Sequence, residues 1–196
     1  MLVEGQPAPD FTVESISGQR IELSQLRGRK VLVKFHRFAG CPVARRQIAA
    51  FVSRHAELTR GGIETIIFLH SSRQNLIATF LEAPSIHIVG DQSKRVYRLF
   101  SSAFRFRSLF APGSWTATFA SFLQGYFPVF TRFEGGILAV PSDFLVDENG
   151  ILKKVHYGSD FGDTWTVDEV LRLATPVREP GDGDESSTGK RAALSA

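Results

Sequence analysis

The stretch KVLVKFHRFAGCPVARRQ, residues 30–47, contains the only cysteine of the chain. Its first part, residues 30–38, is apolar and β-rich, which is typical of a central strand buried on both faces. A helix is predicted over residues 42–59, where apolar residues recur at a spacing of three to four and two glycines follow. Pro42 suits the first helical position, because its missing N–H group would have no partner there. The pattern therefore predicts a strand-to-helix junction with Cys41 at the N-cap.

Outward from this junction, strand and helix patterns alternate toward the C-terminus. The predicted elements are a strand over 63–70, a helix over 73–81, a strand over 86–89 and a helix from 91 to about 100. Such alternation favours a sheet whose centre is largely parallel.

Two hairpins are predicted outside this central alternation. The first has short strands over 11–13 and 20–23 around Ser17-Gly18, followed by a helical turn over 24–26. The second has strands over 137–146, interrupted by Pro141, and over 151–157, joined by the turn Asp147-Glu148-Asn149-Gly150. A capping box at 166–169 starts a last helix that ends near residue 174. The predicted fold class is α/β, a mixed central sheet with helices on both faces and an N-terminal β-hairpin.

Residues 101–133 form an insert rich in phenylalanine, in which Ser114 is expected to cap a helix to about Leu123. Its roles stay open between extra core with a lid, a homodimer interface, a pocket for an apolar substrate and, given Arg105, Arg107 and Arg132, a membrane-surface role. From Pro176 onward the chain is rich in Gly, Asp, Ser and Glu. We therefore expect one domain over residues 1–175 and a flexible tail over 176–196.

Composition narrows the function classes. One cysteine excludes an intramolecular disulfide, which fits a reducing compartment, and we expect a cytoplasmic protein. No signal-peptide pattern and no run of about 18 apolar residues is present, so no membrane span is expected. Residues 27–60 contain nine Lys or Arg and one acid, and residues 92–133 contain six and none. The first basic run surrounds Cys41, which favours an electropositive thiol site over a nucleic-acid surface.

Cys41 is the candidate nucleophile. The positive end of the helix dipole and the nearby cations Arg37 and Arg45 would favour its thiolate, which is the reactive form. Gly40 leaves room beside the sulfur for a small substrate. His36 is either a second participant or a core histidine. The alternative for Cys41 itself is a small buried apolar residue without chemistry.

The remaining polar motifs predict neither a cofactor nor a metal. His70, His87 and His156 do not have the spacing of metal ligands, and no glycine-rich phosphate loop occurs. Asp160 and Asp163, in the motif YGSDFGDTW, are interpreted as loop and helix-start residues. We interpret the nearby Lys34 and Arg46 as solvated or salt-bridged side chains.

Four segments in this order resemble the alkyl hydroperoxide reductase and thiol-specific antioxidant branch of the peroxiredoxins. They are GQPAPDFTV, LSQLRGRKVLVKFHRFAGCP, DQSKRVYRLF and PSDFLVDENGILKKVHYG. The resemblance implies a thioredoxin-like fold and makes Cys41 the attacking thiol. Peroxide would oxidise it to a sulfenic acid that an external thiol reduces. Pro141 corresponds to a proline beside the active site that is normally cis in this fold.

The chain departs from the family pattern at three places. Lys34 and Phe38 occupy the proline and threonine positions of the P-x-x-x-T-x-x-C motif. Pro141 occupies the position of an arginine, and Ala44 that of the second cysteine in a C-P-x-C variant. The resemblance therefore implies a one-cysteine peroxidase whose partners are a peroxide and an external thiol or a second copy of the chain. A monothiol exchanger acting on a disulfide and a non-catalytic binding or structural module stay open as alternatives.

Overall fold

The computed structural model describes residues 1–80, 86–102, 112–129 and 139–175. The strands are β1 Thr12–Glu14, β2 Arg20–Glu22, β3 Lys30–His36, β4 Ile63–Leu69, β5 His87–Gly90, β6 Ser142–Val146 and β7 Leu152–Tyr157. The helices are α1 Pro42–Ser53, α2 His55–Arg60, α3 Arg73–Phe80, α4 Arg95–Leu99, α5 Pro112–Leu123 and α6 Val167–Ala174, with a 3-10 turn at Leu23–Leu26.

The central sheet has the strand order β5-β4-β3-β6-β7. The pairs β3–β4 and β4–β5 are parallel, whereas β3–β6 and β6–β7 are antiparallel. Strands β1 and β2 form a separate antiparallel hairpin. The predicted mixed sheet and N-terminal hairpin are confirmed, and the parallel pairs lie where the sequence alternates between strand and helix.

The alternation of side chains along β3 divides the core into two layers. Leu32 packs with residues of α1, α2, α3 and α6 on one face of the sheet. Val31, Val33 and Phe35 pack on the other face with the hairpin and α4. Helices therefore cover both faces, and the layer that holds α1 is the layer on which Cys41 lies.

Several predicted boundaries need correction. The helix predicted over 42–59 is divided at Arg54, whose guanidinium binds Glu57 of the next turn and Asp168 of α6. Helix α4 begins four residues later than predicted, because Asp91 accepts hydrogen bonds from the first N–H groups of that helix.

The prediction that Ser114 caps α5 is wrong. The helix begins at Pro112, a residue that favours the first turn, and Ser114 Oγ instead accepts a hydrogen bond of 3.2 Å from the N–H of Phe161. The expectations for residues 103–111 and 130–138 of the insert, and for the tail over 176–196, fall outside the described residues.

Candidate functional site

Cys41 is the N-cap residue of α1 and Pro42 is its first helical residue, as predicted. The Cys41 carbonyl accepts the first helical hydrogen bond, from the N–H of Arg45 at 3.0 Å. The sulfur makes no capping hydrogen bond to the N–H groups at the positive end of the helix dipole, the end that was expected to favour its thiolate. Helix geometry thus places Cys41, and a different group contacts its sulfur.

Arg37 is that group. Its Nη1 donates a hydrogen bond of 3.3 Å to the sulfur of Cys41. The guanidinium lies over the ring of Phe161 at 3.5 Å and over that of Phe38 at 5.4 Å, and Arg37 is only 8% exposed. Burial lowers the pKa of Arg37, and the interaction with Cys41 opposes this shift. A buried guanidinium at this distance would stabilise a thiolate more than a thiol.

An apolar cover encloses the sulfur. Cys41 is 0% exposed and packs with Val43, Ala44, Ala117 of α5 and Phe161. Ala44 places a buried methyl group where the C-P-x-C variant would have its second thiol. In the resting structure, a peroxide therefore has no open route to the sulfur.

Gly40 serves this cover, and the expectation that it admits a substrate is wrong. The N–H of Val129 donates to the Gly40 carbonyl at 3.2 Å, and a Cβ atom at Gly40 would collide with the Val129 carbonyl oxygen. Glycine is therefore needed here because the insert backbone approaches closely. The space that the sequence suggested for a substrate is filled by the chain itself.

The two arginines predicted to activate the thiol differ in position. Whereas Arg37 contacts the sulfur, Arg45 donates to the carbonyl of Phe127 at 3.0 Å and lies 6.0 Å from the centre of the Tyr126 ring. Arg45 thus binds the segment that follows α5. The structure places Arg37 in the thiol site and Arg45 at the edge of its cover.

Lys34, which occupies the proline position of the family motif, is fully buried in an ion pair. Its Nζ donates to Asp143 at 2.6 Å, to Thr164 Oγ1 at 2.9 Å and to the Trp165 carbonyl at 3.1 Å. Burial lowers the pKa of Lys34, and the charge and hydrogen bond of Asp143 oppose this shift. Asp143 also accepts from the Trp165 N–H at 2.7 Å, so the pair ties β3 and β6 to the chain that leads into α6.

His36 is a buried core residue whose ring nitrogens have no hydrogen-bond partner among the described residues. Burial, and secondarily the charge of Lys34, lower its pKa to about 3. The ring is therefore neutral at physiological pH. The backbone of His36 is fixed separately, because the Tyr97 hydroxyl binds its carbonyl at the end of β3.

Pro141 lies beside the end of β3, because the next residue, Ser142, pairs with Phe35. Its carbonyl accepts a hydrogen bond of 2.9 Å from the Gly158 N–H. The cis bond implied by the resemblance is not found: the Val140–Pro141 peptide is trans, the isomer that X-Pro bonds favour without a local constraint.

Sequence reasoning missed Phe161. It recognised the YGSDFGDTW motif as a loop, and the structure agrees: Asp160 accepts from the N–H of Gly162, and Asp163 accepts from that of Ser159. These turns present Phe161 to Arg37, a contact between residues far apart in the chain. The sequence signal that could have identified Phe161 is its position between two turn-forming aspartates.

A groove of about 590 Å³ lies further along α1. Arg46 and Gln47 line it, with Tyr126 and Trp165 on the opposite side, whereas neither Cys41 nor Arg37 does. This groove is therefore separate from the thiol.

The fold and the site define a class: a thioredoxin-like protein with one cysteine at the N-terminus of a helix that follows a central strand. Residues 4–155 match the AhpC/TSA family. The chain belongs to this family.

Three known proteins illustrate the likeness. A Mycobacterium tuberculosis protein provisionally named a peroxiredoxin is 28% identical over 85 residues, which are 43% of this chain and 54% of that protein. The match thus spans about half the length of that relative. The structure of reduced Plasmodium vivax 2-Cys peroxiredoxin has a TM-score of 0.63 at 18% identity, covering 89% of this chain and 81% of the other. A Chlorobium tepidum protein provisionally named thiol:disulfide interchange protein DsbE has a TM-score of 0.58 at 17% identity, covering 89% and 100%.

Across the residues that the structure describes, none of the helices has both the length and the apolar character needed to cross a membrane.

Proposed function

We propose that this chain is a peroxiredoxin-type thiol oxidoreductase in which Cys41 reduces a peroxide by a one-cysteine mechanism. The observation that carries the proposal is the hydrogen bond of 3.3 Å from the buried Arg37 guanidinium to the Cys41 sulfur. A cation beside the sulfur favours the thiolate, and the thiolate is the nucleophile. Membership of the AhpC/TSA family supports the same chemistry.

In the first step the Cys41 thiolate attacks the terminal oxygen of a hydroperoxide. An S–O bond forms, the O–O bond breaks, and the leaving alkoxide takes up a proton, so that sulfenic acid and alcohol are produced. Arg37 is the positioning cation in this step: it holds the thiolate before the attack. The sulfur loses two electrons and the peroxide gains them.

The second step requires an external thiol, because Ala44 stands where a local partner would be. One thiol condenses with the sulfenic acid to give a mixed disulfide and water, and a second thiol releases Cys41 as a new disulfide forms. A compartment with a pool of reduced thiols, such as the cytoplasm, would supply both equivalents.

Access to the sulfur requires the cover to open. Phe161 belongs to a loop, and the segment after α5 is attached to Gly40 and Arg45 by the two hydrogen bonds described above. Local openings of this kind cost less than global unfolding. We therefore infer that the reactive form is a minor, opened state.

The experiment is to treat the protein with one equivalent of hydrogen peroxide and trap the product with dimedone. Mass spectrometry should find the adduct on Cys41, and Cys41→Ser should give none. Arg37→Met should slow adduct formation about tenfold, the effect of losing one charge-assisted hydrogen bond. Arg45→Met, a matched loss of a neighbouring arginine, should not slow it. Failure to form adduct in the folded wild-type protein would overturn the proposal.

The buried sulfur supports a second candidate, a binding module of the same fold without turnover. In that case peroxide would leave Cys41 reduced, and Cys41→Ser would retain partner binding. A monothiol exchanger is a third outcome of the same assay: Cys41 would resist peroxide but form a mixed disulfide with a glutathionylated peptide.

A further inference from the structure

Helix α5 and the segment after it carry an exposed apolar surface that the peroxidase chemistry does not use. We call it the aromatic face and define it by Trp115, Phe119, Phe122, Leu123 and Phe127. Trp115, Phe119, Leu123 and Phe127 are 69%, 63%, 73% and 63% exposed, and the rings of Phe122 and Phe127 stack at 5.9 Å. Contiguous apolar surface of this kind marks an interaction site on soluble domains.

The aromatic face follows from the helical spacing of its residues. Positions 115, 119, 122 and 123 lie on one side of α5, because residues three and four apart share a helix face. The opposite side, with Ser114, Ala117 and Ser121, is buried, and Ala117 contacts the Cys41 cluster. Helix α5 therefore packs its small residues against the core and exposes its large apolar residues to solvent.

Two arginines of α1 and one carboxylate lie beside α5 and the segment that follows it. Residues 112–129 contain no charged side chain, and Arg45 is tied to this segment at Phe127. Arg46 shares the adjoining groove with Tyr126. The carboxylate near this helix belongs to Asp160, which lies against Gly113 and binds N–H groups of its own loop.

We propose that the aromatic face docks on an anionic lipid surface. Aromatic side chains supply the apolar contact that enters the boundary between headgroups and acyl chains, and the arginines supply attraction to anionic headgroups. A symmetric second copy would bring Arg45 and Arg46 of the two chains toward each other, which opposes association at low ionic strength. The exposed rings and the neighbouring arginines therefore favour lipid over self-association.

This inference does not depend on the proposed peroxidase, because no reaction at Cys41 enters it. If both hold, the lipid lies against the outer side of the helix whose inner side covers Cys41. Docking would then bring the cover of the thiol to the membrane boundary.

The test uses the full chain with Trp165→Phe, which leaves Trp115 as the one tryptophan. Vesicles of phosphatidylcholine with about one-third phosphatidylserine should shift Trp115 emission to shorter wavelength and sediment with the protein. Phe119→Ser with Leu123→Ser should weaken the partition at least about a hundredfold, since each buried large apolar side chain contributes at least about a tenfold factor. The matched control, Val3→Ser with Leu99→Ser, changes exposed apolar residues elsewhere and should bind as before.

Cys41→Ser should bind vesicles as well as the wild type, which separates this test from that of the peroxidase. Loss of binding in pure phosphatidylcholine or in high salt would support the electrostatic part. No partition into anionic vesicles, or equal partition of the Phe119/Leu123 variant, would overturn the proposal. Self-association without lipid that this variant abolishes would overturn it in favour of a second copy.

Discussion

Two buried cations, Lys34 on β3 and Arg37 beside the thiol, have different kinds of partner. Lys34 has a carboxylate at 2.6 Å and two further oxygen acceptors. The contacts of Arg37 include the Cys41 sulfur and two aromatic rings. A carboxylate fixes a charge permanently, whereas a thiol becomes a full partner only when it ionises. From this difference we propose that Lys34 serves the fold and Arg37 the chemistry.

The largest effect is expected at Lys34. Lys34→Met leaves Asp143 as an unpaired buried charge and should lower the free energy of unfolding by about 3–5 kcal/mol. Adding Asp143→Asn removes that charge and keeps an acceptor for the Trp165 N–H, so it should restore much of the loss. Urea denaturation of the single and double variants measures both. If the single and double variants have equal free energies of unfolding, the interpretation of Lys34 as the partner of the buried Asp143 charge is wrong.

His36 lies between Lys34 and Arg37 in the sequence and extends the comparison between them. Neither of its ring nitrogens has a hydrogen-bond partner among the described residues. Because its folded pKa, about 3, is below the unfolded value, the unfolded state binds the proton first as the pH falls. Stability should therefore decline by about 1.4 kcal/mol per pH unit from about pH 6.5 toward pH 3. His36→Leu should lack this part of the slope.

The control for His36 is Leu32→Ala, a change on the same face of β3. It should lower stability by about 2–5 kcal/mol at every pH, because it removes buried apolar volume and no titrating group. A His36→Leu protein whose stability declines with falling pH as steeply as the wild type would contradict the prediction.

At Arg37 the expected effect is on the rate at which Cys41 reacts. Arg37→Met should slow iodoacetamide labelling of Cys41 at neutral pH about tenfold, which corresponds to about 1.4 kcal/mol. Arg45→Met removes a contact of the cover and should not slow labelling. Equal slowing by both variants would show that general basicity, rather than the hydrogen bond from Arg37, governs the thiol.

The smallest effect is expected at Phe161. Phe161→Leu keeps most of the apolar volume but removes the ring that lies 3.5 Å from the Arg37 guanidinium, at a cost of about 1 kcal/mol in unfolding free energy. The same exchange at Phe119, an exposed ring with no described cation–π contact, serves as the control and should cost less. Thermal denaturation in parallel distinguishes them.

Sequence patterns predicted most of the fold because strand alternation, glycine stops and the Thr166 capping box are local signals. The break at Arg54 was not predictable, since it accompanies a contact with Asp168 on another helix. For the same reason, only the site residues close to Cys41 in the sequence could be predicted. Arg37 and Arg45 lie four residues on either side of Cys41, and only the path of the backbone decides which one reaches the sulfur. Asp143 and Phe161 join the site through tertiary contacts that leave no local pattern.

The complete enclosure of the Cys41 sulfur has a kinetic consequence. If reagents react only after the cover opens, the observed rate constant rises with reagent concentration and then levels off at the opening rate. At that plateau hydrogen peroxide and iodoacetamide would react equally fast, although their intrinsic reactivities differ. Gly40 and Phe161 would then set the working speed of the protein without touching either reagent.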